Sequence, residues 1–79
     1  MKFIIRISLK NSILDPQGDA ISNSLKSLGF GNINSVRQGK IIEIDLEESN
    51  RERGVETIKK MCYKLLVNNV IENFLIETE

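Results

Sequence analysis

Residues 2–10 alternate without a break, with Phe3, Ile5, Ile7 and Leu9 on one side of the chain and Lys2, Ile4, Arg6, Ser8 and Lys10 on the other. A period of two is the signature of a strand with one face covered and one wet. The same period returns at 41–47, where Ile42, Ile44 and Leu46 point inward and Ile41, Glu43, Asp45 and Glu47 outward. Two such runs require a sheet, and the intervening segments must supply the helices that cover it.

A loop over residues 11–14 leads to Asp15-Pro16, where Asp15 suits the N-cap and Pro16 the first helical position, whose N–H would lack a partner in any case. Ala20, Ile21, Leu25 and Leu28 form the apolar stripe of this first helix, with Ser24 small enough to lie between them. Gly18 is a poor helix former in its first turn, and Gly29 or Gly31 ends it in a left-handed conformation. Residues 32–36 read as a short, weakly patterned strand, and Arg37-Gln38-Gly39-Lys40 as the turn of a hairpin leading into 41–47. Ser49 and Glu52 fit a capping box ahead of a second stripe of Val55, Ile58, Cys62, Leu65 and Leu66, closed by Asn68 or Asn69 in left-handed geometry. Residues 70–78 form the last strand. Either Phe74 and Ile76 or Ile71 and Leu75 face its helices; the first choice fills more core in a chain with few large side chains.

The resulting order is βαββαβ over a single domain, residues 1–79. It predicts an α+β, ferredoxin-like fold with two helices on one face of a four-stranded antiparallel sheet. In that arrangement Lys2, Arg6 and Lys10 of the first strand face Glu43, Asp45 and Glu47 of the third, so opposite charges meet across the pair.

Composition excludes most chemistry. The chain has no His, which removes Ser-His-Asp and Cys-His catalysis and His metal sites. Its single Cys allows no internal disulfide, and a reducing, cytoplasmic location is the default. Eleven Lys and Arg balance eleven Asp and Glu, so affinity for nucleic acid through phosphate neutralisation is not expected. Arg6, Lys10 and Asp15 interrupt any secretory signal, and no segment is long enough to span a bilayer. The outward positions of the two central strands carry no aromatic ring for base stacking, and the first loop, Asn11-Ser12-Ile13-Leu14, holds no Cys pair for a metal. Gly18 alone does not make a phosphate-binding loop. Glu43, Asp45 and Glu47 read as a solvated face neutralised by the first strand, and Cys62 as a small core residue on a helix stripe. No catalytic site, metal or cofactor emerges. A candidate interface does: Ile4, Ile41, Ile71 and Leu75 interrupt the charges of the outer sheet face. Scattered aliphatics need no explanation, but 79 residues bury little surface alone, which favours a contact. The sequence leaves open whether that face or an exposed edge strand is used.

Several stretches carry a family likeness: Ser8-Leu9-Lys10, Ile13-Leu14-Asp15-Pro16-Gln17-Gly18, Val36-Arg37-Gln38-Gly39-Lys40, Met61-Cys62-Tyr63-Lys64-Leu65-Leu66 and residues 68–72. In this order they resemble the PurS family, the small subunit of the three-component phosphoribosylformylglycinamidine (FGAM) synthase of purine biosynthesis. The resemblance implies a noncatalytic, homodimeric assembly subunit that bridges a glutaminase subunit and a large, ATP-dependent synthetase subunit, so that formylglycinamide ribonucleotide is converted to FGAM with ammonia from glutamine. Carried over by position, Asp15 and Gly18 match its first motif, Arg37 and Lys40 its hairpin motif, and Asn68 and Glu72 its end-of-helix motif, all read as partner contacts. Asp15 and Asn68 already have local structural roles; Arg37 and Lys40 show none in the sequence, which ranks them highest, Arg37 first because Arg is favoured at interface centres. The alternative from another class is a stand-alone dimeric module that binds a regulatory metabolite.

Overall fold

The computed structural model describes residues 1–79 and gives, in order, β1 (Lys2–Leu9), α1 (Pro16–Ser27), β2 (Gly39–Asp45), α2 (Arg51–Met61), a π-turn over Cys62–Leu66 and β3 (Glu72–Thr78). The class is α+β. The three strands form one antiparallel sheet in the order β2-β1-β3, with β1 at its centre.

Register follows the period of two. Ile5 stands between Ile42 and Ile76, and Ile7 between Lys40 and Phe74, so Phe74 and Ile76 face inward as the volume argument expects. Phe3, Ile5 and Ile7 are buried beneath Ile58, Cys62 and Val67, with Ile42, Ile44, Leu46, Phe74 and Ile76 half-buried around them. Gly54 sets how closely α2 approaches: a Cβ there would overlap the Phe3 ring, so any larger residue would hold the helix off the sheet. The rings of Tyr63 and Phe74 meet edge to face, centroids 5.6 Å apart, where the π-turn crosses β3.

Several expectations are corrected. Residues 32–36 make no strand, so the sheet has three strands, and the hairpin expected at residues 37–40 is instead the point where an irregular segment returns to β2. The weak pattern of 32–36 reflects the fact that it has no sheet neighbour. Helix α1 does not lie on the sheet: none of its side chains joins the core or packs on it, and Ile21 and Leu28 of its stripe are exposed. The cap of α2 is Asn50, whose Oδ1 accepts from the Arg53 N–H at 3.0 Å, one residue beyond Ser49; the Ser49 N–H itself donates to Glu48. After Met61 the helix widens by one residue per turn, shown by the 3.1 Å bond from the Val67 N–H to the Cys62 carbonyl. That extra residue rotates Leu65 into solvent and Val67 into the core. The helix then ends through an extended Val67, and no non-glycine residue adopts positive φ, so Asn68 and Asn69 do not close it as left-handed caps.

The outer face is also rearranged. Lys2 pairs with Glu43 at 3.4 Å, as the charge ladder predicts, but Arg6 turns to β3 and donates from Nε to Glu77 at 2.7 Å, which raises its pKa. Its β2 neighbour in register is Ile41, which offers it no charge. Ile4 lies between Glu43 and Glu77, and Arg6 between Ile41 and Leu75, so apolar and charged residues alternate across the strands, with Ile41 and Leu75 the diagonal neighbours of Ile4. Ile71 belongs to the turn before β3 and is not a strand residue.

Residues 11–38 leave the end of the sheet as an arm, α1 outward and an irregular segment back, reversing at Gly29 (φ 104°). The molecule measures 49 × 25 × 15 Å with a radius of gyration of 16.0 Å, against about 12 Å for a compact chain of this length.

Candidate functional site

The six residues assigned to partner contact lie far apart in the sequence, yet they converge where the arm joins the sheet. The N-cap of α1 begins the arrangement. Asp15 is buried, and its Oδ1 accepts the Gly18 N–H at 2.9 Å, as an N-cap should. Its Oδ2 does something the sequence does not disclose: it accepts the Gln38 N–H at 2.7 Å and so ties the outgoing chain to the returning one. The two amide donors, that of Gln38 first, hold the Asp15 carboxyl below its usual pKa, with the Arg37 charge adding to the effect against the opposing cost of burial.

Gly18 stands at the same crossing. A Cβ on it would overlap the Val36 carbonyl oxygen and press on the Asp15 carboxylate, so its absence lets the two limbs of the arm touch. Helix propensity alone marks Gly18 as a defect; the crossing gives the physical reason for it.

Arg37 closes the root. Its Nη1 donates to the Ile13 carbonyl at 2.9 Å and its Nη2 to the Lys10 carbonyl at 3.0 Å, holding the loop between β1 and α1. This corrects the expectation that Arg37 lacks a local structural role; only the tertiary fold provides its acceptors. Lys40 is also engaged, its Nζ lying 3.6 Å from Oε2 of Glu72, whose other oxygen accepts the Asn68 N–H at 2.7 Å. Asn68 in turn accepts the Val70 N–H on Oδ1 at 3.2 Å, shaping the turn into β3.

Between these groups opens a cleft of about 290 Å³ lined by Ser8, Leu9, Asp15, Gln17, Gln38, Lys40 and Glu72 among others. Its groups are amides, one paired ammonium and carboxylates whose acceptor positions are largely taken. Such a lining suits hydrogen bonding and charge matching to another surface. Cys62 lies elsewhere, buried under α2, where burial pushes its thiol pKa up and keeps it protonated, so it is not an activated nucleophile. No group of three or more His, Cys, Asp or Glu side chains is placed to hold a metal ion.

The outer-face strand residues do not join this site. Ile4, Ile41 and Leu75 lie on the opposite sheet face, with Ile41 and Leu75 exposed, whereas Ile71 meets the root through its backbone: its carbonyl accepts the Lys10 N–H at 2.8 Å and its N–H donates to the Asn68 carbonyl at 3.1 Å. The sequence reading passes over Leu14 and Phe30, both exposed on the arm; their only signal is that large apolar residues flank α1 in segments with no apolar period.

Comparison with known proteins agrees with this architecture over the full length. Residues 2–79 match the family model described as PurS: Phosphoribosylformylglycinamidine (FGAM) synthase. The phosphoribosylformylglycinamidine synthase subunit PurS of Bacillus subtilis is 44% identical over 78 residues, covering 99% of this chain and 92% of that protein. The PurS crystal structure from Methanocaldococcus jannaschii superposes with a TM-score of 0.89 at 40% identity, covering 99% of this chain and 94% of that one. A chain of the PurLQS structure from Thermotoga maritima superposes with a TM-score of 0.87 at 33% identity, covering 96% of this chain and 93% of that one. The chain belongs to the PurS family of phosphoribosylformylglycinamidine synthase subunits.

Proposed function

We propose that this chain acts as a noncatalytic, self-associating assembly subunit of FGAM synthase, the ATP- and glutamine-dependent ligase complex, and that it bridges the glutaminase and synthetase subunits. The observation that carries the reading is the root of the arm. Asp15, Gly18 and Arg37 fix a projecting element that leaves Leu14, Ile21, Leu28 and Phe30 exposed, while Lys40, Glu72 and Asn68 bind one another on the adjoining sheet end, and such an arrangement suits adhesion better than turnover. Similarity to a chain of the PurLQS structure supports the same reading. The rim groups Lys40 and Glu72 and the arm around Asp15, Gly18 and Arg37 are the partner contacts in this proposal, with Ile4, Ile41 and Leu75 as a second surface.

A bridge serves a channelled reaction by keeping two sites within reach, so that ammonia released at one is used at the other before it escapes. The same reading places the chain in the cytoplasm; no helix is long and apolar enough to cross a membrane. A stand-alone metabolite module is not favoured, since the similar proteins are named as synthase subunits.

Reconstitution tests the proposal. The glutaminase and synthetase subunits are assayed with and without this chain, using glutamine or free ammonium as nitrogen donor. The glutamine-dependent rate is expected to fall sharply without the chain while the ammonium-dependent rate changes little. Equal glutamine-dependent rates in both mixtures would reject the bridging role.

A further inference from the structure

Charge in this chain balances in total but not in place. Lys2 and Lys40 are paired with carboxylates and Lys26 lies on the arm, whereas Lys10, Lys59, Lys60 and Lys64 gather around the end of α2 and the π-turn. The ion pairs of the chain are those of the N-terminal amine, Lys2, Arg6 and Lys40, so none of these four ammoniums is matched; Glu56, one turn before Lys60, does not reach them. Positive charge at a helix end offsets the helix dipole, but that does not account for Lys10, which follows β1.

Tyr63 stands among them. Lys59 and Lys60 precede it by four and three positions, one turn earlier on the same helix face, and Lys64 follows it. Lys10 lines a groove with Tyr63, Asn69, Glu72, Asn73 and Phe74. Tyr63 is 63% exposed yet held in place: its ring rests edge to face on Phe74, and the Asn69 amide donates to its carbonyl at 3.4 Å. It belongs to the widened turn, a feature that often marks a functional site. An aromatic centre with amides beside it and a charged rim is the anatomy of a protein interface.

Charge identifies the occupant. A second copy meeting this patch about a twofold axis would bring the ammoniums of both copies together, and like charges across an interface are costly. The outer-face carboxylates Glu43, Glu77 and Glu79 of another copy are already paired with Lys2 and Arg6 of their own chain. A phosphate would find only point charges, since the patch has no guanidinium fork and ends a helix instead of beginning one.

We propose that Tyr63 anchors a docking surface for an acidic face of a different subunit. The ring enters a pocket on that face, Asn69 and Asn73 hydrogen-bond its margin, and Lys10, Lys59, Lys60 and Lys64 match its carboxylates. The inference rests on the bridging part of the proposed function and names one of the two surfaces that a bridge needs.

Calorimetric titration of the chain into the glutaminase subunit, the synthetase subunit and their mixture, over a range of salt, tests it. Two variants are compared with the unsubstituted chain: Tyr63→Ala, and Lys59→Glu combined with Lys60→Glu and Lys64→Glu. All four positions are exposed, so circular dichroism and sizing of the variants should match the unsubstituted chain. The lysine variant is expected to bind one of the subunits at least about thirtyfold more weakly at low salt and to lose most of the salt dependence. Tyr63→Ala is expected to weaken the same contact about tenfold or more at every salt concentration while keeping the salt slope. Affinity lost by only one of the two variants overturns the joint role of ring and rim. Unchanged affinity of both variants overturns the docking surface and leaves the bridging role standing, whereas an unsubstituted chain that binds neither subunit overturns both. A short single-stranded DNA is titrated in parallel; if the lysine variant loses binding to it and keeps full affinity for the subunits, the patch serves phosphate and the proposal falls.

Discussion

The body and the arm of this chain have similar shares of aliphatic residues but place them in opposite surroundings. In the body, Phe3, Ile5, Ile7, Ile58, Cys62 and Val67 are shielded by a strand on either side of β1 and by α2 above it, so burial and ladder hydrogen bonds support each other. In the arm, Ile21, Leu28 and Phe30 face outward, and only Gly18 and Ser22 of α1 are buried. The body is held by apolar packing. The arm is held at its root by polar groups: one carboxylate, one guanidinium and the backbone they bind. An amphipathic stripe therefore reports that a helix will be covered and says nothing about which chain covers it.

Removing packing from the body should have the largest effect. Phe3→Ala empties the site under Gly54 and is expected to cost about 3–5 kcal/mol, enough to unfold much of a domain this small. Chemical denaturation followed by far-UV circular dichroism measures it, and a loss below 1 kcal/mol would mean that the body is not the stable unit. Gly18→Ala forces a methyl group against the backbone carbonyl of Val36, which cannot rotate away, and should cost about 1–3 kcal/mol. Its signature is regional: amide exchange should quicken over residues 11–38 and stay slow in β1. Uniform acceleration would show that arm and body unfold together.

Asp15→Asn sharpens the same comparison through pH. The carboxyl pKa is lowered in the folded chain from an ordinary value near 3.8, so its contribution is complete above that value and is lost as pH falls through the folded pKa. The unsubstituted chain should melt several degrees above the variant at pH 7, and the gap should close in strong acid. A gap independent of pH would assign the loss to shape and not to charge. Leu28→Ser should have the smallest effect. At concentrations where the chain is dissociated, it should shift stability by no more than about 0.5 kcal/mol, because Leu28 is 75% exposed and leaves no cavity. A larger shift under those conditions would place Leu28 against the body of its own chain.

What the residues disclose in advance depends on the range of the interaction. Period two and the cap at Asp15-Pro16 are local, so β1, β2, the start of α1 and the inward facing of Phe74 and Ile76 are legible without coordinates. The family stretches at 13–18, 36–40 and 68–72 mark the residues of the root, but not the reason they belong together. Asp15 reads as a cap and is also a tie to Gln38, 23 positions away. Arg37 reads as unengaged because its acceptors, the carbonyls of Lys10 and Ile13, are backbone groups that every residue type carries.

The sequence alone determined the apolar periods, the helix start and the absence of histidine chemistry, because each depends on neighbours along the chain. Tertiary structure decided the rest. It turned the helix stripe at Leu65 outward by inserting one residue into a turn, sent Arg6 to Glu77 across the other strand, and left α1 clear of the sheet. Those outcomes depend on distances between segments remote in sequence. Hydrophobic burial has no direction of its own, so the pattern fixed how much surface must be covered, while the crossing at Gly18 and the ties of Asp15 and Arg37 fixed where the arm would point.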